Sequence, residues 1–207
     1  MDVLRKIIFI LILFTGWSAT AQQEETFDIF EKSYLLENEG EYTKAIQALK
    51  TIYDEDSYEV NLRLGWLHYL SGLFSEAVPY YQRCISLRPL SIEARLGIAL
   101  PVSSMGNWSQ VEKYYREILE MDPENSWVNY RMALLYYGRE DFQTAYRYIE
   151  KVVNHYPFDY DSVVLMAWIN YRMGKTREAR VLFTKSLLMR PGDESASNGL
   201  ELLDANQ

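Results

Sequence analysis

A proton shuttle or thiolate nucleophile in this 207-residue chain would have to be drawn from three scarce side chains: His68, His155 and Cys84. They are far apart in sequence and show no His-x-x-x-His or Cys-x-x-Cys spacing for a metal ion. Their neighbours give each a structural role. His68 falls on a helix face that packs inward, as a hydrogen-bonded core residue. His155 precedes Pro157 in a last helical turn, where an imidazole can meet terminal carbonyls. Cys84 sits at a helix-packing position, as a small core residue. No Gly-rich phosphate loop and no Gly-x-Ser-x-Gly elbow is present. Carboxylates are abundant, as in the run Asp54, Glu55, Asp56, but they read as solvated loops and faces. Asn107-Trp108-Ser109 matches a glycosylation sequon by chance. The residues therefore predict no enzyme, no cofactor and no metal. What the chain has in excess is aromatic surface, 14% of its residues, with 17 tyrosines and 5 tryptophans.

Composition narrows the partners. Apolar residues make up 48% and charged residues 24%, a globular balance. The net charge of −8 argues against nucleic acid, whose binding needs clustered Lys and Arg.

Residues 1–21 read as a secretory signal peptide. Arg5 and Lys6 precede the apolar run Ile7 to Phe14, and Ala19-Thr20-Ala21 has the small-x-small form of a cleavage site, so cleavage is expected before Gln22. The rival reading, an uncleaved membrane anchor, needs roughly 20 apolar residues. Loss of Asp2, Arg5 and Lys6 leaves 19 basic and 28 acidic residues, a net charge of −9. No cysteine lies near the cleavage site, which excludes a lipoprotein anchor. The mature chain is expected to be periplasmic or secreted, with no membrane span. Its single cysteine cannot form an internal disulfide, so stability must come from apolar packing.

The elements that would position the aromatics follow a period. Pro89, Pro123, Pro157 and Pro191 are 34 residues apart. Between them helical patterns alternate with short breaks: Leu62, Trp66, Tyr69 and Leu70 keep helical spacing, Gly72 breaks it, and Ala77, Tyr81, Cys84 and Ile85 resume it. Ser75 is the expected N-cap of that second helix, with Pro79 in its first turn. Stacked on the period, the units 58–91, 92–125, 126–159 and 160–193 repeat their small and bulky positions. The eighth reads Gly65, Ala99, Ala133 and Ala167. The fifteenth reads Gly72, Gly106, Glu140 and Gly174. The twentieth reads Ala77, Val111, Ala145 and Ala179, and the twenty-fourth reads Tyr81, Tyr115, Ile149 and Phe183.

With these residues the chain resembles the tetratricopeptide repeat family. A fifth, shorter unit at 26–57 keeps Gly40, Tyr42, Ala45, Leu49 and Ile52 in register. The resemblance covers residues 26–193 and implies an all-α fold, a right-handed α-solenoid of stacked antiparallel helix pairs. Residues 194–207 read as a capping helix, N-capped by Asp193 and carrying Leu200, Leu202 and Leu203. The departures are Glu140 at a turn glycine and Pro101 inside a first helix, where a kink or a shifted neighbour is expected.

In that family the first helices of successive units line a concave groove. The matching positions here give a ligand face of Leu62, Trp66, Tyr69, Leu100, Trp127, Tyr130, Leu134, Tyr137, Trp168 and Tyr171. Some of these could instead serve packing between adjacent units. The carboxylate-clamp set of certain family members is absent, with Leu, Trp and Tyr at the clamp positions, although Arg63, Arg131 and Arg172 lie nearby. The resemblance implies a non-enzymatic scaffold of the cell envelope that binds a protein or extended peptide on aromatic side chains. A glycan-binding module using the same face is the alternative, and an exposed aromatic face also suits self-association.

Overall fold

The computed structural model describes residues 23–205. Among them are eleven helices and no strand. The helices are α1 (23–38), α2 (Tyr42–Lys50), α3 (Tyr58–Leu70), α4 (Phe74–Leu87), α5 (Ile92–Ser104), α6 (Trp108–Met121), α7 (Ser126–Gly138), α8 (Phe142–His155), α9 (Tyr160–Arg172), α10 (Thr176–Met189) and α11 (Glu194–Ala205). The fold is all-α, of the α-solenoid class, built from antiparallel helix pairs. The chain forms two compact units, one up to Val111 and one from Glu112. The signal-peptide reading falls on residues 1–21, outside the described residues.

Each pair is closed by the same device. Gly72 N–H donates to the Tyr69 carbonyl at 3.0 Å and Leu73 N–H to the His68 carbonyl at 2.9 Å. This pair of bonds ends a helix when the residue after the C-cap turns left-handed, a conformation that suits glycine. Gly72, Gly106 and Gly174 adopt φ of +77°, +75° and +74°. Glu140 takes the same role at φ +61°, the one non-glycine residue with positive φ among those described. Glu140 N–H still donates to the Tyr137 carbonyl at 3.0 Å and Asp141 N–H to the Tyr136 carbonyl at 3.0 Å. A side chain held there costs about 1 kcal/mol. The exposed Glu140–Arg172 ion pair at 3.0 Å offsets part of that cost. Glu140→Gly is therefore expected to stabilise the second unit by about 0.5–1 kcal/mol. Calorimetric melting, with Arg172→Ala as the control for the ion pair, checks it. An unchanged or lower melting temperature rejects the strain.

This closure also moves one helix start from its expected place. Leu73, the second residue of the closing motif, is itself the N-cap of α4 and has no side-chain cap bond. Ser75 is therefore inside α4, its Oγ donating to Met105 Sδ at 3.8 Å. Pro79 lies beyond the first turn rather than in it. Pro101 is likewise accommodated, for α5 runs unbroken from Ile92 to Ser104 with Pro101 buried. The proline loops lead into capped helices. Asn125 Oδ1 accepts the Val128 N–H at 3.0 Å at the start of α7, and Asp193 Oδ1 accepts the Ala196 N–H at 2.8 Å at the start of α11.

The cores pack small against large. In the first unit Ala45, Leu49, Val60, Leu64 and Leu67 form one cluster. Tyr58, Cys84 and Ala94 form another, with Leu62 against it. Tyr81 is seated between two glycines of successive first helices: β-carbons added at Gly65 and Gly97 would lie 3.0 and 2.2 Å from its ring. In the second unit Ala167, Ala179 and Phe183 pack with Ala196 and Leu203 of α11. Phe183 rests on Gly199 as Tyr81 rests on Gly97.

Candidate ligand-binding faces

The predicted face is best followed unit by unit. In the first unit α3 turns Val60, Leu64 and Leu67 into the core, which leaves Leu62, Trp66 and Tyr69 half-buried on another stripe. Trp66 is anchored, its indole N–H donating to Glu37 Oε1 of α1 at 2.9 Å. Its ring lies 5.7 Å from that of Tyr69, which in turn lies 5.9 Å from Phe74. Leu62 has a packing role against the Tyr58, Cys84 and Ala94 cluster. Leu100 is half-buried on α5.

In the second unit Trp127 is exposed, while Tyr130, Leu134, Tyr137, Trp168 and Tyr171 are half-buried. Trp168 is held from several sides. Its indole N–H donates to Ser195 Oγ at 2.9 Å, and its ring meets Phe183 at 4.9 Å and Tyr171 at 5.7 Å, both edge-on. Tyr137 packs on Phe142 at 5.6 Å. Trp127 meets Tyr115 edge-on at 5.8 Å and carries the Arg131 guanidinium over its ring at 4.8 Å. Trp127 and Tyr130 share the wall of an open pocket of about 390 Å³ with Tyr156, Asp159 and Asp161. None of the ten predicted residues is fully buried.

The scarce reactive groups are held in structural contacts. His68 is buried, with Nδ1 2.7 Å from the Leu64 carbonyl and its ring against Tyr80, and burial lowers its pKa. His155 Nδ1 is 3.1 Å from the Lys151 carbonyl and 3.6 Å from Glu124. Cys84 is fully buried, and desolvation pushes its thiol up to about 12, far from thiolate chemistry at neutral pH. Among the described residues no group of His, Cys, Asp and Glu is placed to hold a metal ion, and no helix is long and apolar enough to cross a membrane.

Several polar positions escape a reading by periodicity. Asn61 and Asn129, both fully buried, are the fourth residues of α3 and α7. Their amides donate back to the preceding loop, Asn61 to Glu55 and Ser57 carbonyls at 3.0 and 2.7 Å, Asn129 to Pro123 and Asn125 carbonyls at 3.0 and 2.9 Å. They tie the first turn of each helix to the loop that leads into it. Their common offset in the period was the one available signal. Glu112 gathers Tyr136, Arg139 and Arg116 at 2.6, 2.5 and 2.7 Å. Burial alone would raise its pKa, but these donors hold it down to about 2. This network braces α6 and α7 and carries no nucleophile.

Comparison with known proteins agrees with the geometry. Tetratricopeptide repeat models match residues 30–92 and 128–159. The TPR repeat-containing protein YpiA of Bacillus subtilis is 22% identical over 158 residues, 74% of this chain and 37% of that protein. A serine/threonine-protein kinase mTor of Drosophila melanogaster is 29% identical over 87 residues, 42% of this chain and 4% of that protein. The chain thus spans well under half the length of these curated relatives. Among solved structures, a tetratricopeptide repeat protein from Parabacteroides merdae aligns with TM-score 0.74 at 20% identity, covering 87% of this chain and 72% of that one. A MamA protein aligns with TM-score 0.69 at 19% identity, covering 80% and 92%. Two segments of the chain, 30–92 and 128–159, thus match tetratricopeptide repeat models, and the chain shares its α-solenoid fold with these structures.

Proposed function

We propose that this chain is a non-enzymatic scaffold of the cell envelope, periplasmic or secreted after removal of residues 1–21, that binds a protein or extended peptide on its half-buried aromatic rows. In this reading its repeats number five, over residues 26–193, and 194–207 cap the last. Tetratricopeptide repeats generally act as protein-interaction scaffolds. The observation that carries the aromatic face is the treatment of Trp66 and Trp168. Each is fixed by an indole hydrogen bond, to Glu37 and to Ser195, yet neither ring is fully buried. A large flat side chain held in one orientation loses little entropy on binding and offers wide apolar area. Ligand apolar groups would be buried on these rings, and tyrosine hydroxyls would supply hydrogen bonds.

Trp66→Ala and Trp168→Ala variants that keep wild-type helical circular dichroism test this by pulldown from envelope extracts. Loss of the proteins captured by the wild-type chain is the expected result. An unchanged set of partners removes the aromatic faces from binding. A ligand retained after protease treatment of the extract would be a glycan and would overturn the polypeptide reading.

A further inference from the structure

The open pocket of the second unit has a composition unlike the rest of the predicted face. It lies where the N-terminal turns of α7 and α9 meet the C-terminal end of α8, and its walls include Trp127, Tyr130, Arg131, Tyr156, Asp159 and Asp161. Trp127 and Tyr156 are 41% and 55% exposed, so three aromatic side chains border the space and two are open to solvent. Aromatic faces are electron-rich and attract cations. The protein shows this chemistry in the wall itself, where the Arg131 guanidinium lies 4.8 Å above the Trp127 ring, and again outside the wall, where Arg190 lies 3.6 Å above Tyr160.

The charges point the same way. Two carboxylates outnumber the one guanidinium in the wall. Asp159 uses Oδ2 to cap α9, accepting the Ser162 N–H at 3.0 Å. Asp161 meets Arg190 at 3.6 Å, but both side chains are more than half exposed, so the pair is weak and exchangeable. Burial and then the Asp161 and Asp159 charges raise the Tyr130 phenol, with Arg131 opposing, which places both carboxylates within electrical reach of the pocket. An apolar ligand group would strip water from these carboxylates without pairing them. An anionic group would meet two carboxylates against one guanidinium in the wall. The chain's net charge of −8 favours the approach of a basic segment.

We infer that this pocket receives a basic side chain, Lys or Arg, of the bound polypeptide, with the cation against the Trp127, Tyr130 and Tyr156 rings and between Asp159 and Asp161. The inference rests on the polypeptide-binding reading above and names the chemistry of one subsite.

The test titrates ¹⁵N-labelled protein with single-residue probes and follows the Trp127 indole N–H. N-acetyl-arginine amide and N-acetyl-lysine amide are expected to shift that signal saturably, with affinity on the order of 1 mM for ligands so small. N-acetyl-norleucine amide and N-acetyl-glutamate amide are expected not to. The double variant Asp159→Asn/Asp161→Asn keeps the α9 cap, since Asn caps as well as Asp. It should weaken the arginine probe about tenfold at low salt and remove its salt dependence. Norleucine binding equal to arginine, preferred glutamate binding, unchanged affinity in the Asn variant, or no binding of either cation overturns the inference. Its fate is separable from that of the scaffold reading. Partner capture lost in Trp66→Ala without cation-probe binding removes only this subsite. Probe binding with capture unaffected by Trp66→Ala and Trp168→Ala removes only the aromatic rows.

Discussion

Gly97→Ala is expected to destabilise the first unit by about 2 kcal/mol, although glycine to alanine inside a helix ordinarily stabilises by about 1 kcal/mol. A β-carbon at Gly97 would sit 2.2 Å from Tyr81 Cε1 and 2.7 and 2.8 Å from two further ring atoms. The ring has little room to retreat, because Tyr81 is only 2% exposed and its other edge lies close to the Gly65 backbone, near enough that an added β-carbon there would itself be 3.0 Å from the ring. One extra methyl group must then move α5 or twist the ring out of a low-energy rotamer, at about 1–3 kcal/mol beyond the lost propensity gain. Gly138, the last residue of α7, is the internal control. A β-carbon there meets nothing within 4 Å, so Gly138→Ala should stabilise by about 0.5 kcal/mol. Urea unfolding of both variants reads the sign directly. Adding Tyr81→Leu to Gly97→Ala should cost less than the two single changes together, because the smaller side chain relieves the clash. If Gly97→Ala and Gly138→Ala shift stability in the same direction, the seat of Tyr81 is wrong.

The period was legible because proline and glycine act locally: a missing N–H or a left-handed turn needs no distant partner to take effect. The start of α4 was misplaced for a related reason. Ser75 looks like a cap, but Leu73 is already committed by the end of α3, and the outgoing helix fixes where the next begins. Gly97 was illegible, since in sequence it is only a poor helix former; its reason is Tyr81, sixteen residues earlier and on another helix. The aromatic face was half legible. Position in the repeat identified the rings, but not Glu37 and Ser195 that orient Trp66 and Trp168, nor the Asp159 and Asp161 that charge the pocket beside Trp127. Those partners come from helix starts and neighbouring helices, where the pattern of apolar spacing is silent.

Glu37→Ala is the second large effect, expected to cost about 3 kcal/mol and to loosen α1 from α3. Arg63 is 6% exposed, and its guanidinium is enclosed by α1: Nη1 pairs with Glu37 Oε2, Nε donates to Ser33 Oγ at 3.0 Å, and the Tyr34 ring lies 3.8 Å away. Without Glu37 the buried cation keeps only a hydroxyl and a ring face, which do not replace its lost hydration. The Trp66 indole loses its acceptor in the same step. Removing the other partner should hurt less. Glu37 is 21% exposed and its Oε1 still accepts the Trp66 indole N–H after Arg63→Met, while the methionine fills the apolar volume. Arg63→Met is therefore expected to cost about 1 kcal/mol, and Glu37→Met with Arg63→Met to fall well below the sum of the single changes. The asymmetry is the diagnostic result, because a surface ion pair would lose the same small amount from either side. Denaturant unfolding of the three variants measures it, and Trp66 emission should move to the red in Glu37→Ala as α1 releases the ring. Equal costs for Glu37→Ala and Arg63→Met would mean that the Arg63 charge is not held in a buried site, and that the anchor under Trp66 is dispensable.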